Sequence, residues 1–496
     1  MTEPLSSTPQ KNITRETVRG TFWGYVSFAS GKLLNFIATL ILARLLVPEQ
    51  FGLVAYCTIA IQYLDILNTA GINSALISRR DKVEEAANSA LVANIVLGFV
   101  SYFIAWTAAP SIAMFFKADE ITSLIRVLAL ILPIGGLGLV PGAMIMRGLQ
   151  FKQKMIADLT RNLLKGIISV TLALMGYGVW SLIWGQVAGE TMSTIVLWFL
   201  AGWRPTWKFD RSATSEVITF GGHIILVEIA GQIRNNVDYV IVGRVLGASL
   251  LGVYTLAYRI PELAIRSFDR VIGGVSFPLL AQVQTDKAFL KKTYLGYIRY
   301  ISLFTFSIGV GIAIISRLFV ETFLSAKWQE TILPMALISI ALAIISVGHI
   351  PGIFYKAIGR PDILNKLSII KIPLIVIILW YASNWGIIGV SIGQIVFSII
   401  SVMLDSFVVG RIIEFNMIET IKALIPAGIC SLSMLLTTIP VMIFFDPTGL
   451  SGLLFISLLG GLTFLFMLNI FDHGLVLQAV QYLKNKKILP GTQACG

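Results

Sequence analysis

The chain has 496 residues, of which 56% are hydrophobic and only 13% charged, and its mean hydropathy is +0.83. Soluble domains carry about 25% charged residues, so a set of water-facing globular domains is excluded. The formal net charge of +12 does not point to nucleic acid, because the basic residues lie in short clusters beside apolar runs and not in one patch with aromatic platforms.

Polar residues fill Met1 to Gly20 with no small-residue cleavage site after them, so the first apolar span is expected to remain as an uncleaved anchor. Runs without Asp, Glu, Lys or Arg then follow at Ala86 to Phe116, Gly166 to Gly189, Thr331 to Tyr355, Ile372 to Leu404, Ala423 to Phe445 and Pro447 to Phe471. A hydrocarbon core about 30 Å thick takes about 20 helical residues, so each run is long enough to cross. Ile372 to Leu404 fits two crossings that turn at Ser383-Asn384-Trp385-Gly386. Helices are required, since open strands would leave backbone groups unsatisfied in lipid. Hydropathy and turn signals predict an all-α integral membrane protein of about fourteen transmembrane helices, beginning near residues 21, 51, 88, 121, 157, 180, 216, 250, 295, 330, 366, 386, 421 and 449. Little chain is left for a soluble domain. The link Trp203 to Ser215 mixes aromatic and basic residues as a cytoplasmic interfacial segment would.

Basic residues alternate with the loops. One side collects Lys11, Arg15, Arg19, Arg79, Arg80, Lys82, Arg147, Lys152, Lys154, Arg204, Lys208, Arg211, Lys287, Lys291, Lys292, Lys356, Arg360, Lys366, Arg411, Lys422, Lys484, Lys486 and Lys487. The other side holds only Arg44, Lys117, Arg244, Arg317 and Lys327. By the positive-inside rule this asymmetry puts both termini in the cytoplasm.

An internal repeat organises the helices. Ile41 to Tyr56 matches Ile241 to Leu256 at a shift of 200 positions, with Ile41/Ile241, Arg44/Arg244, Leu46/Leu246 and Gly52/Gly252 identical, and Gly31 and Asn35 upstream match Gly231 and Asn235. Six predicted spans separate equivalent positions, so the repeats share one orientation. The expected domains are residues 1–205, a six-helix lobe with tail and start of the linker, 206–410, a second six-helix lobe, and 411–496, two additional helices and a tail.

The segments LARLLVPEQFGLVAYCTIAI, AGINSALISRR at Ala70 to Arg80 and DYVIVGRVLGASLLGVYTLAYRIPE at Asp238 to Glu262 resemble the signatures of polysaccharide transporters of the multidrug/oligosaccharidyl-lipid/polysaccharide exporter superfamily, in particular colanic-acid-type Wzx flippases. The resemblance implies a MATE-like fold with a V-shaped central cavity. It also implies a bacterial cytoplasmic (inner) membrane location and, as substrate, an oligosaccharide carried on undecaprenyl diphosphate. Membrane lipids and polysaccharide-assembly proteins are the further partners it suggests.

Intramembrane charge is costly and marks functional candidates. On the eighth predicted helix Arg259, Arg266 and Arg270 fall within about 40° of one another and form a cationic stripe, with Glu262 and Asp269 on its flank at pairing distance. Arginine pairs phosphate oxygens through a planar fork while staying charged, so the stripe is a candidate diphosphate contact; a fully paired structural network is the competing reading. Helix seven adds Glu228, Arg234, Asn235, Asn236 and Asp238, with Arg234 and Asp238 four apart, as a gate, a coupling site or a packing pair. In the first lobe Lys32 is a further cation, and Asp65 is either a proton or sodium partner or the mate of Lys32. Arg126, Arg161, Lys165, Glu190, Arg299, Lys371 and Asp405 read as interfacial or interhelical charges. Gly138 to Gly142 and Gly389 to Gly393 have spacings for close helix packing. No catalytic motif, metal set or cofactor site is recognised; H+ or Na+ coupling is the one exception considered. Cys57, Cys430 and Cys495 have no ligand or disulfide spacing. The reading is an ATP-independent flippase working by alternating access. A peptidoglycan-precursor flippase, a MATE-type drug antiporter and a membrane glycan-assembly enzyme are its alternatives.

Overall fold

The computed structural model describes the backbone of residues 30–69, 76, 82–206, 211–282 and 287–471, and the side chains of all of these but 67, 69, 211–227, 230 and 266–282. Among the described residues every regular element is helical. Helices α1 (30–45) and α2 (Pro48–Thr69) are followed by α3 (Val83–Phe116), α4 (Ile121–Arg147), α5 (Phe151–Leu174) and α6 (Val179–Leu200). The stretch Arg211–Gln282 is two helices, α7 before Gly247 and α8 after it. Then come α9 (Lys287–Phe323), α10 (Ala326–Ala357), α11 (Asp362–Ala382), α12 (Gly386–Ile413), α13 (Met417–Phe445) and α14 (Gly449–Phe471). The predicted turn between two crossings at Ser383 to Gly386 is a short 3-10 segment, Ser383–Trp385, closed by Gly386 at φ 67°.

Eight stretches among the described residues are long and apolar enough to cross a bilayer. Large side chains such as Phe103, Ile369, Ile377, Leu436, Ile443, Phe444 and Leu458 are exposed on these helices, a surface that is tolerable against hydrocarbon and not against water. The chain is therefore a multi-pass membrane protein. The eight stretches are not eight single crossings, since Gly231–Ile265 runs across the α7–α8 break and Asp362–Ile413 holds both α11 and α12; α5 falls outside them because Lys152, Lys154, Asp158, Arg161 and Lys165 interrupt its apolar surface.

The first two helices of each repeat break at matching places. Helix α1 ends before Leu46-Val47, and Pro48 opens α2, where its missing N–H costs nothing. Two hundred residues later Gly247 breaks α7 from α8 at φ 88°, ψ 178°, a conformation glycine alone adopts without strain.

The fold divides into two compact units, Met1–Thr255 and Leu256–Gly496. In the first, α5 and α6 lie in intimate contact. A Cβ on Gly185 would fall on the Ser169 hydroxyl, and one on Gly189 would come within 2.8 Å of the Arg161 carbonyl oxygen. A Cβ on Gly138 of α4 would likewise come within 2.9 Å of Thr194 Oγ1 of α6, the small-residue packing expected in lipid. The start of the link after α6 is tied down, since Asn88 Nδ2 donates to Thr206 Oγ1 at 2.9 Å and Thr206 N donates to Asn88 Oδ1 at 3.1 Å.

In the second unit α9 is the central strut. Ser339 Oγ of α10 donates to the Gly309 carbonyl at 2.8 Å. Leu303, Ile314 and Leu318 of α9 pack with Ala427, Cys430 and Met434 of α13 and Ile456, Phe464 and Leu468 of α14. Helix α13 starts from a capping box in which the Asn416 side chain accepts from the Ile418 N–H and Glu419 accepts from the Asn416 N–H.

Candidate functional site

Within the first unit, α2 runs antiparallel to the α7–α8 segment, and the seam between them changes character along its length. At one end a Cβ on Gly52 would fall on the Ala248 carbonyl oxygen, and a Cβ on Gly252 would fall on that of Pro48. Residues 52 and 252, and 48 and 248, are equivalent under the repeat, so the contact is reciprocal, as a local two-fold relation between the two copies requires. Farther along, the buried Tyr56 hydroxyl donates to the Gly243 carbonyl at 2.7 Å, and a side chain at 243 would collide with the Tyr56 ring. Tyr56 itself stacks on Phe116, centroids 4.2 Å apart.

Farther still the seam is open and polar. Gln62 is exposed, and its Oε1 accepts from Gln232 Nε2 at 2.7 Å and from Asn236 Nδ2 at 3.3 Å. Tyr63 Oη donates to the Gln232 carbonyl at 3.5 Å. From Pro48 to Tyr63 the helix rises about 22 Å at 1.5 Å per residue, so the seam passes from backbone contact to exposed side chains over most of a membrane's thickness.

Charges gather beside it. Arg161 Nη2 of α5 donates to Glu190 Oε1 of α6 at 3.1 Å, while Nε lies 3.1 Å from Oε2. Asp65 of α2 is exposed and lies within electrostatic range of both Glu190 and Arg161. Two carboxylates thus lie within electrostatic range of one guanidinium. Their alignment follows from Gly185 and Gly189, which bring α6 down onto the turn of α5 that carries Arg161. Asn94 of α3, wholly buried, has neither side-chain atom hydrogen bonded, and Asn68 Oδ1 accepts from Ser101 at 3.4 Å.

The second unit holds its own ion pair on the corresponding helices. Lys371 Nζ of α11 lies 2.6 Å from Asp405 Oδ2 of α12. Here the surroundings are dry: the Lys371 and Asp405 side chains are 14% and 4% exposed, and Tyr355 Oη donates to the Asp405 carbonyl at 3.4 Å.

The residues singled out from the sequence distribute as follows. Lys32 is exposed on α1 and Arg234 exposed on α7. Asp238 is buried, and its Oδ2 accepts from Tyr254 Oη at 2.8 Å, with Tyr239 edge-on to the Tyr254 ring. Asp65 has Arg161 and Glu190 as its charged neighbours. Arg259 and Glu262 are half-buried on α8. Arg266, Asp269 and Arg270 lie on the same helix, but their side chains are outside the described residues. Sequence reasoning missed Gln62 and Gln232 altogether. The repeat carried a signal for them, since Gln62 aligns with Glu262 and Gln232 with Lys32, polar residues at both places in both copies.

A family model described as "Polysaccharide biosynthesis protein" matches residues 41–333. The lipopolysaccharide biosynthesis protein WzxC of Escherichia coli (strain K12) is 25% identical over 80% of this chain and 81% of its own length. The succinoglycan biosynthesis transport protein ExoT of Rhizobium meliloti (strain 1021) is 28% identical over 56% of each chain. Among solved structures, the lipid II flippase MurJ in an inward closed conformation superposes with a TM-score of 0.74 at 15% identity, covering 92% of this chain and 100% of that one. The fold is therefore MurJ-like.

Proposed function

Because the chain belongs to the polysaccharide biosynthesis protein family, we propose that it is a flippase that moves an undecaprenyl-diphosphate-linked oligosaccharide repeat unit across the bacterial inner membrane by alternating access. The observation that carries this reading is the graded seam, closed by reciprocal glycine contacts at the Gly52 and Gly252 end and lined with exposed polar groups at the Gln62 end. A path for a polar headgroup needs such a wedge: one end sealed against ions, the other wet. The positive-inside rule assigns the sealed end to the outer face, with both termini in the cytoplasm and fourteen crossings, six in each lobe (1–205 and 206–410) and two in residues 411–496.

The headgroup would exchange hydration for guanidinium and ammonium groups, for which Arg259, Arg266, Arg270, Arg234 and Lys32 are the candidates. The lipid tail stays in the bilayer throughout. Asp65, Asp238, Glu262 and Asp269 are the acids available for gating or for coupling to a proton or sodium gradient, and Asp65 is best supported because it lies within electrostatic range of a second acid and an arginine. Parting of the glycine crossing would open the outer side, while the exposed end closes behind the cargo. Polysaccharide-assembly proteins would supply and consume the substrate.

The test uses purified protein in lipid vesicles containing a fluorescent undecaprenyl-diphosphate oligosaccharide, with a membrane-impermeant quencher outside. Protein-dependent exchange of the label between leaflets is expected. Exchange no faster than in empty vesicles under every imposed proton, sodium or electrical gradient overturns the reading.

A further inference from the structure

We infer that the cluster formed by Gln62, Gln232, Asn236 and Tyr63 is a sugar-recognition subsite that reads ring hydroxyls of the glycan next to the diphosphate. It rests on the flippase reading above and assigns the neutral half of the cargo to residues distinct from the cationic ones.

The hydrogen-bond inventory carries the argument. A carboxamide has two N–H donors and a carbonyl with two acceptor positions. Gln62 Oε1 has both positions filled, by Gln232 Nε2 and Asn236 Nδ2. The cross-seam bonds use one donor from each of those residues and none from Gln62. Left over are the Gln62 amide hydrogens and the carbonyl oxygens of Gln232 and Asn236, fixed relative to one another because the shared acceptor holds three side chains from two helices in one arrangement. That face is uncharged and alternates donors with acceptors. Vicinal hydroxyls on a pyranose ring are each donor and acceptor, so they complement it. A phosphate offers only acceptors and charge, and an isoprenoid tail offers neither.

Packing alone does not account for the cluster. Interhelical carboxamide bonds in membranes stabilise by only about 0.6 kcal/mol, and unmet polar valences against hydrocarbon cost several times that. Gln62 is exposed and Gln232 and Asn236 half-buried, so these groups face water, at the open end of a seam whose other end is sealed. Tyr63, bonded through its hydroxyl to the Gln232 backbone, adds an aromatic wall of the kind that packs on the apolar face of a sugar ring.

The discriminating experiment measures equilibrium binding of two probes to the purified full-length protein in detergent: undecaprenyl diphosphate carrying one neutral hexose, and undecaprenyl diphosphate with no sugar. Parent protein is expected to bind the hexose-bearing lipid about tenfold more tightly. The Gln62→Glu variant keeps the acceptor that Gln232 and Asn236 share but loses both amide hydrogens; it should fold normally and lose about fivefold of that preference, the worth of a neutral hydrogen bond or two. Gln62→Met removes the acceptor as well and should abolish the preference. Monodisperse elution of each variant controls for folding. Equal binding of the two lipids by the parent protein, or an undiminished preference in Gln62→Glu, overturns the inference. Binding preference without leaflet exchange in the vesicle assay would sink the flippase reading and leave the subsite standing.

Discussion

Helices α5 and α6 of the first unit and α11 and α12 of the second each carry a basic residue facing an acid, yet the two pairs differ in burial and in the charges around them. Lys371 and Asp405 meet at 2.6 Å and are almost fully buried. Arg161 and Glu190 meet at 3.1 Å, with side chains 38% and 21% exposed, and share their surroundings with a third charge, Asp65. The first arrangement is neutral and dry, so neither partner can change charge without leaving the other stranded in a low dielectric. The second is more exposed and brings two carboxylates near one guanidinium. A cation or a proton can reach it more readily than at Lys371 and Asp405, where it would have to break a buried pair. Corresponding helices in the two repeats thus carry ion pairs in unlike surroundings, so the repeat fixes where a pair sits and not how deeply it is buried.

The largest effect is expected from removing one member of the buried pair. Lys371→Met should destabilise the protein by about 3–5 kcal/mol, because Asp405 is left buried and uncompensated, and should appear as a large drop in melting temperature and in monodisperse yield. Lys371→Met combined with Asp405→Leu should recover most of that loss. If instead the single variant stays stable while leaflet exchange stops, the dry pair is the working one and the assignment of roles reverses.

Where the copies have not diverged, a smaller effect on stability and a larger one on transport are expected. Gly52 and Gly252 make the same contact on each other's neighbouring carbonyl. Gly52→Val should cost about 1–3 kcal/mol by forcing the crossing apart, and should raise the reactivity of a cysteine placed at Ala248 toward an outside thiol reagent. A parent-like reactivity would mean that the crossing does not seal the outer face.

At the more exposed pair, Asp65→Asn should change stability by no more than about 1 kcal/mol, well below the loss at Lys371, because the Asp65 side chain reaches the surface. The readout that matters is the dependence of leaflet exchange on an imposed proton or sodium gradient, which should flatten. An unchanged dependence removes Asp65 from coupling and leaves Arg161 and Glu190 as an ordinary packing pair.

The helices were legible in the sequence because apolar runs, loop charges and turn residues are local properties. Ser383 to Gly386 could be read as a turn from four consecutive residues, and the shift of 200 positions already aligned Gly52 with Gly252. The site was less legible because its contacts are not local. Gln62 and Gln232 meet across 170 residues, and neutral carboxamides do not interrupt a hydropathy profile as a charge does. Asp65 and Lys32 could be set side by side from neighbouring helices, but which further charges Asp65 meets depends on helix rotation. The rotation of α5 against α6 is set by Gly185 and Gly189, whose spacing drew no notice beside Gly138 to Gly142. Both Arg161 and Glu190 were visible as intramembrane charges; that they pair, and that Asp65 joins them, required the packing.

The smallest effect lies outside the membrane and provides a baseline for the exposed and buried pairs alike. Lys287 Nζ lies 2.5 Å from Glu414 Oε1, and this ammonium holds the Glu414 carboxyl below its usual range. A carboxyl group whose folded value is depressed adds stability above its ordinary value, and that contribution fades as the pH falls through the depressed one. Both side chains are well exposed, so water and salt screen the pair strongly. Glu414→Gln should therefore lower the melting temperature slightly near neutrality, less at high salt, and not at all in acid, where the parent carboxyl is protonated too. Lys371→Met should show no such salt sensitivity, because counterions do not reach a buried pair. A salt response of equal size at both sites would mean that water penetrates to Asp405, and the contrast between a buried second pair and a more exposed first one would no longer hold.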